Sequence, residues 1–347
     1  MRKSIKNKSH PFVSKHNPVF YIAEIGAAHE GDYEYAKQLT HLALDSGADA
    51  VKFQFYTGDT LVSSITGADS NAHFKRMELT NKQNLDLIRI VDAGGAIPMA
   101  SIWSQDILTK VDSCLSIHKV GSGDLTCYPM LAALAFTGKP IILSTGLSSL
   151  KEVSEAVAYI DSCNASYIEQ RKLALLQCTA SYPTPDVDAN IEAMLVLKQE
   201  FGLPVGYSDH TIGSDAIEVA VTLGAEIIEK HFTDEREGKT YHDHKLSLTC
   251  EEVRKTITKM KRIVTLKGKA EKLLTLSESD VDKQILFRRS IYAAHNIEPG
   301  EILTSDNLTT LRPAVGLCAS HYDEVIGKTV VRAILKNQVI QKEDICY

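Results

Sequence analysis

Between residues 19 and 232, short apolar runs rich in β-branched and aromatic residues recur eight times: VFYIAEIG (19–26), AVKFQF (50–55), IPMASIW (97–103), SIHKVGSG (116–123), PIILSTG (140–146), LALLQCTA (173–180), PVGYSDH (204–210) and EIIEKHF (226–232). Each is too short for a stable helix, and helix-compatible segments such as 34–46, 79–93, 148–160, 189–201 and 213–223 fall between them. Continuous apolar strands alternating with amphipathic helices describe a parallel sheet covered on its outer face. Eight such units predict an α/β fold of the (β/α)8 TIM-barrel type. The competing doubly wound sheet opens on a Gly-rich turn, and EIGAAHEG is not G-x-G-x-x-G, so a dinucleotide site has no support.

The barrel is expected over 19–265, ending in a helix from Cys250. A charged stretch at 266–286 reads as a linker. From Phe287 onward, short β-like pieces broken by Glu-Pro-Gly, Ser-Asp-Asn and Arg-Pro signals predict a small β-rich domain over 287–347. Residues 1–18 carry five basic residues, no acidic ones and no apolar core, so they read as a flexible extension rather than a secretory signal. With 38 Lys and Arg against 44 Asp and Glu, the net charge is −6, which argues against nucleic acid as a partner. No apolar run approaches the span of a bilayer, which argues against a membrane partner. Seven scattered cysteines without a C-x-x-C pair suit a reducing, cytoplasmic setting.

In a barrel of this kind the chemistry sits at the C-terminal ends of the strands. Those ends carry Glu24; Lys52 and Gln54; Ser101; Lys119, Ser122 and Asp124; Ser144 and Thr145; Thr179 and Tyr182; Ser208, Asp209 and His210; then Glu229, Lys230 and His231. Lys52, Lys119, Ser122 and Ser144, with the glycines of GSGD and STG, read as an anion or phosphate site, because ammonium groups and free backbone N–H donors are what a phosphate needs. The alternative is that both lysines pair with acidic neighbours. His210 and His231 end adjacent strands and suit a divalent metal with positions left for water and substrate. Asp243 has two readings, orienting a ligand or binding a substrate hydroxyl. Tyr182 lies before two prolines and can pack against a sugar or within its own loop. Cys178, with no evident activating base, reads as packing.

These same stretches, from about residue 18 to 345, resemble the sialic acid synthase family, which includes legionaminic and pseudaminic acid synthases. The matching motifs are IAEIG..H.GD (22–32), GADAVKFQ (47–54), KVGSGD (119–124), KPIILSTG (139–146), SYPTP (181–185), GYSDHT (206–211), IEKHFT (228–233) and DHKLSL (243–248). The tail RRSIYAAHNIEPGEILTSDNL…LRP resembles that family's antifreeze-like (SAF) domain. The resemblance implies a transferase that condenses phosphoenolpyruvate with an N-acyl mannosamine-type aldose. It implies a divalent metal, Mn²⁺ foremost with Mg²⁺ or Co²⁺ as alternatives, on His210 and His231. Phosphoenolpyruvate would be held by Lys52, Lys119, Ser122, Ser144 and Ser208. Catalytic roles would fall to Glu24, Asp124, Lys119 and Glu229, and sugar contacts to Gln54, Tyr182, Asp243 and Arg312. The place of Arg312 in the tail implies a domain-swapped homodimer. The chain departs from the family pattern at Ala28, Ala180 and Trp103, and Asp124 stands where Glu is common. A different synthase joining phosphoenolpyruvate to an aldose, giving a 3-deoxy sugar acid, and a non-catalytic sugar-binding member are the alternative readings.

Overall fold

The computed structural model describes residues 10–12, 14 and 17–346. Eight parallel strands close into a barrel in sequence order: β1 (Phe20–Gly26), β2 (Ala50–Phe55), β3 (Ile97–Ile102), β4 (Ile117–Val120), β5 (Ile141–Ser144), β6 (Leu173–Cys178), β7 (Val205–Asp209) and β8 (Ile227–His231). The final pairing, β1 with β8, sets Glu24 opposite His231. This is the predicted TIM barrel, with strand positions close to those expected.

Side-chain alternation explains what each strand builds. Tyr21, Ala23 and Ile25 of β1, Val51, Phe53 and Phe55 of β2, and their counterparts face outward into a continuous core with the helix layer. That core receives Leu39 and Ala43 from Tyr33–Asp45, Leu87 and Val91 from Asn81–Ala93, and Val253, Ile257 and Met260 from Cys250–Lys267. The intervening residues face inward. Phe20, Ile22, Ala50, Met99, Ile117, Ile142, Ala174, Leu176 and Ile227 form an apolar plug inside the lower barrel. Two residues further along the same strands, the inward side chains become polar: Glu24, Lys52, Ser101, Lys119, Ser144, Cys178 and Glu229.

One expectation is corrected here. Phe12, placed by the sequence reading in a flexible extension, is 1% exposed and packs into the lower plug. His10 Nε2 lies 2.8 Å from Glu226 Oε2, tying the same segment to the start of β8. An aromatic ring under an otherwise open barrel floor removes apolar surface from water, which a composition-based reading of a basic segment overlooks. Residues 1–9, 13, 15 and 16, also within the predicted extension, lie outside the described residues.

The chain divides into two units, 1–268 and 269–347. In the second, helix Val281–Phe287 precedes the strands β9 (Ser290–Ala293), β10 (Leu308–Leu311), β11 (Thr329–Val330) and β12 (Ile345–Cys346). β9 pairs antiparallel with β10, and β11 with β12. Ile291, Ala293, Ile297, Leu303, Leu308, Val325, Val330, Ile334, Ile340 and Ile345 fill its core. The predicted linker, 266–286, thus contains the last two residues of the barrel's final helix, ending at Lys267, and most of the second unit's first helix.

Candidate active site

The polar strand ends meet in a cavity of about 560 Å³ at the barrel mouth. Its shape depends on local backbone choices. Gly26 adopts a left-handed φ of +55°, and a Cβ there would stand 2.9 Å from Glu24 Oε1. The β1–β2 register shifts between Glu24 and Gly26, so the strand bends away just after delivering Glu24. Gly146 lets the loop after β5 close on that after β4: its N–H donates to Ser122 Oγ at 3.0 Å, and a Cβ would stand 2.8 Å from that oxygen.

Four buried charges dominate the floor of the cavity. Lys52 Nζ lies 2.7 Å from Glu24 Oε2 and 3.9 Å from Glu229 Oε2. Lys119 Nζ donates to Ser144 Oγ at 2.7 Å and lies 3.7 Å from Glu229 Oε1. Ser208 Oγ donates to Glu229 at 3.0 Å, and Gln54 Nε2 donates to Glu24 at 3.1 Å. Both lysines thus pair with carboxylates, as one sequence reading expected, and both line the cavity. Burial pushes Glu24 up to about 7, against the pull of Lys52. Burial also presses upward on Glu229, but Lys119 and Lys52 outweigh it and hold that carboxyl at about 2. Two glutamates on one cavity wall thus differ in protonation near neutrality, the separation that acid–base roles require.

The imidazoles of His210 and His231 line the same cavity, at the ends of β7 and β8. His210 and His231 have ring centroids 5.4 Å apart, and Tyr182 lies over both, at 4.2 Å and 5.9 Å. His210 Nδ1 is 2.8 Å from the Thr179 carbonyl oxygen. A carbonyl only accepts, so Nδ1 carries a proton; burial presses the His210 pKa down, but Cys178 and the Thr179 carbonyl outweigh it and raise it. Burial lowers His231 to about 4, which leaves it neutral. Asp243 Oδ2 is 3.4 Å from His231 Nδ1, a buried nitrogen without a hydrogen-bond partner.

A model of the NeuB family matches residues 39–272, and one of the SAF domain matches 288–345. The chain belongs to the NeuB family. It is 36% identical to the N,N'-diacetyllegionaminic acid synthase of Campylobacter jejuni over 92% of this chain and 98% of that protein. It is 29% identical to the pseudaminic acid synthase of Helicobacter pylori, over 94% and 98% respectively. The crystal structure of the N-acetylneuraminic acid (sialic acid) synthetase of Leptospira borgpetersenii, in complex with citrate, superposes with a TM-score of 0.71 at 31% identity. It covers 77% of this chain and 91% of that one. The likeness read from the motifs, tail included, therefore stands.

Within this family frame, the cavity brings together Glu24, Lys52, Gln54, Lys119, Ser122, Asp124, Ser144, Tyr182, Ser208, His210, Glu229 and His231. Two further residues named from the sequence, Asp243 and Arg312, are not among those lining the cavity. Asp243 is 3% exposed and stands against His231 and His242. Arg312 belongs to the second unit, where its guanidinium sits 5.7 Å from the Phe287 ring. Cys178 is also corrected: it borders the cavity with Sγ 3.7 Å from His210 Nδ1, so it is more than packing. Leu61, from a short helix after β2, and Leu147, just past β5, were missed because loop conformation, not strand periodicity, brings them in. Of the departures from the family pattern, Ala180 and Trp103 line the cavity, while Ala28 is buried outside it.

Proposed function

We propose that the protein condenses phosphoenolpyruvate with an open-chain N-acyl mannosamine-type aldose and water, giving a nine-carbon 2-keto-3-deoxy acid and phosphate. The observation that carries this reading is the buried quartet Glu24, Lys52, Lys119 and Glu229 sharing one cavity with the paired imidazoles of His210 and His231. A cavity of about 560 Å³ suits both reactants together.

Lys52 and Lys119 would hold the phosphate and carboxylate, with Ser122, Ser144 and Ser208 as neutral donors. Glu229, kept ionised, positions both ammonium groups. Carbon 3 of phosphoenolpyruvate bonds to the sugar's aldehyde carbon, and Glu24, with its carboxyl near neutrality, delivers a proton to the aldehyde oxygen. Water adds at carbon 2, guided by Asp124, and the carbon–oxygen bond to phosphate then breaks. Gln54 and Tyr182 would contact the sugar.

A divalent ion fits this site. His210 and His231 line one cavity with ring centroids 5.4 Å apart, burial keeps His231 neutral, and one buried His231 nitrogen has no hydrogen-bond partner. Charge favours it too: phosphoenolpyruvate brings close to three negative charges, more than the two lysines can offset. No group of three or more His, Cys, Asp or Glu among the described residues is arranged to hold an ion, so water and substrate would complete the coordination. When bound, Mn²⁺, Mg²⁺ or Co²⁺ would supply Lewis-acid polarisation of the aldehyde oxygen.

Lys52 and Lys119 are the only cationic Lys or Arg side chains along the described cavity wall, while Leu61, Trp103 and Leu147 make part of it apolar. That composition supports an unphosphorylated acceptor of the 2,4-diamino-6-deoxy type, in keeping with the legionaminic relative. Around the mouth, Leu147, Tyr182, Val187 and Ile212 are exposed. An apolar rim of this kind supports a homodimer in which the partner's tail domain, with Arg312, covers the mouth. No helix among the described residues is long and apolar enough to cross a membrane, and all seven cysteines are free, in keeping with a cytoplasmic reducing setting.

The test is phosphate release from phosphoenolpyruvate with Mn²⁺, comparing N-acetylmannosamine, its 6-phosphate and a 2,4-diacetamido-2,4,6-trideoxy sugar. Release with the last alone, stopped by EDTA, is expected. No release with any of the three would overturn the synthase reading.

A further inference from the structure

Directly behind the two imidazoles lies an ion pair that the proposed chemistry does not use. Lys230 Nζ is 2.7 Å from Asp209 Oδ2, and both side chains have 0% exposure. They are register partners on β7 and β8. Each precedes one imidazole, His210 or His231, in the chain, and each points away from the cavity that those imidazoles line.

Burying two charges in this way is weak support for stability, because an apolar pair of similar volume is often as stable or more so. What an apolar pair lacks is directed bonds, and these converge on the residue after His210. Asp209 Oδ1 accepts from the Thr211 backbone N–H at 2.9 Å and from Thr211 Oγ1 at 2.8 Å. Lys230 donates to the Thr211 carbonyl at 2.5 Å. His210 is therefore held from both chain neighbours. Its own carbonyl accepts from the Thr184 N–H at 2.8 Å, and its Nδ1–H meets Thr179 O at 2.8 Å, so the same anchor extends to the loop bearing Tyr182.

We propose that Asp209 and Lys230 are positioning residues: a dry clamp outside the barrel wall that sets the orientation of His210 relative to His231. The inference rests on reading these two imidazoles as the paired ligands of the mouth, but its geometry is independent of whether an ion is bound. Asp209 and Lys230 touch no reactant; they act through the backbone on either side of His210.

The test uses the full-length protein carrying the double replacement Asp209→Leu/Lys230→Met, with ¹⁵N-labelled histidine assigned from His210→Gln and His231→Gln spectra. In the metal-free parent, His210 is expected as one Nδ1–H tautomer. In the double variant, averaged tautomers are expected at His210, with an unchanged melting temperature. In turnover, kcat is expected to fall about 10- to 100-fold, the usual effect of removing an outer partner of a ligand, while KM for phosphoenolpyruvate holds. A merely structural pair would move the melting temperature and leave the tautomer alone. A double variant with the parental His210 signal and kcat would overturn the clamp. If that variant does not fold, Thr211→Val removes one bond to Asp209 without stranding a charge. A partial shift at His210 is then expected, and an unshifted signal would overturn the proposal. Absence of turnover in the parent would count against the synthase reading only, since the tautomer comparison needs neither metal nor substrate.

Discussion

Replacing Lys119 with Met tests the charge accounting of the cavity floor. Lys119 contributes one of the two positive charges, 3.7 Å from Glu229 and 2.7 Å from Ser144 Oγ. Without it, Lys52 alone faces Glu24 and Glu229, so an arriving anion meets a floor with one positive charge fewer. The anion also loses a charge-assisted hydrogen bond worth about 1.5–3 kcal/mol. Phosphoenolpyruvate affinity should therefore fall about 10- to 150-fold, read by calorimetric titration without acceptor. Glu229→Gln has the opposite sign: it leaves the floor net positive, so phosphoenolpyruvate should bind at least as tightly while turnover drops. Equal affinity in the parent and Lys119→Met would refute this account, as would weaker binding by Glu229→Gln than by Lys119→Met.

His231→Ala should abolish Mn²⁺-dependent phosphate release while leaving the circular dichroism spectrum unchanged; undiminished release would remove His231 from the metal site. Phe12→Ala deletes a ring that is 1% exposed under the barrel, and should destabilise the fold by about 3–5 kcal/mol, lowering Tm by about 6–20 °C; an unshifted melt would mean the segment seals nothing. Hydrogen bonds from Arg236, at 2.7 and 2.6 Å, hold the Glu252 carboxyl at about 2 against an ordinary 4.5. Because the folded-state value is depressed, the stabilisation is present above pH 4.5 and is lost as pH falls toward 2. Solvent screening limits it to about 1 kcal/mol, and Arg236→Met should flatten that part of the stability–pH curve. Ile212→Asp on the exposed rim should shift the protein toward monomer in sedimentation; an unaltered oligomer would place the interface elsewhere.

The barrel was legible because its strands alternate with strict period, and the same period carries a polar residue to the top of nearly every strand. AVKFQF sends Val51 and Phe53 outward and Lys52 and Gln54 inward; reading it needs no tertiary knowledge. What stayed hidden depends on paths between strands. Leu61 and Leu147 reach the cavity from irregular segments. Phe12 looked like part of a basic tail because its partners, from Phe20 to Ile227, are spread over the whole barrel. The approach of Asp243 to His231, at 3.4 Å, likewise depends on the path of the chain after β8. The difference between the Glu24 and Glu229 carboxyls was equally invisible, since Glu229 meets both lysines and Ser208 while burial prevails at Glu24.

The inward alternation has a further consequence for how this barrel can change. An apolar residue and the polar residue two places above it are separated by about 7 Å of strand, so stability and chemistry are written at different heights on the same segments. Ile22 and Glu24, Ala50 and Lys52, or Ile117 and Lys119 can vary almost independently, one member answering to packing and the other to the reactants. Acceptor preference can therefore drift through the upper tier, while the lower one keeps the barrel folded through each exchange.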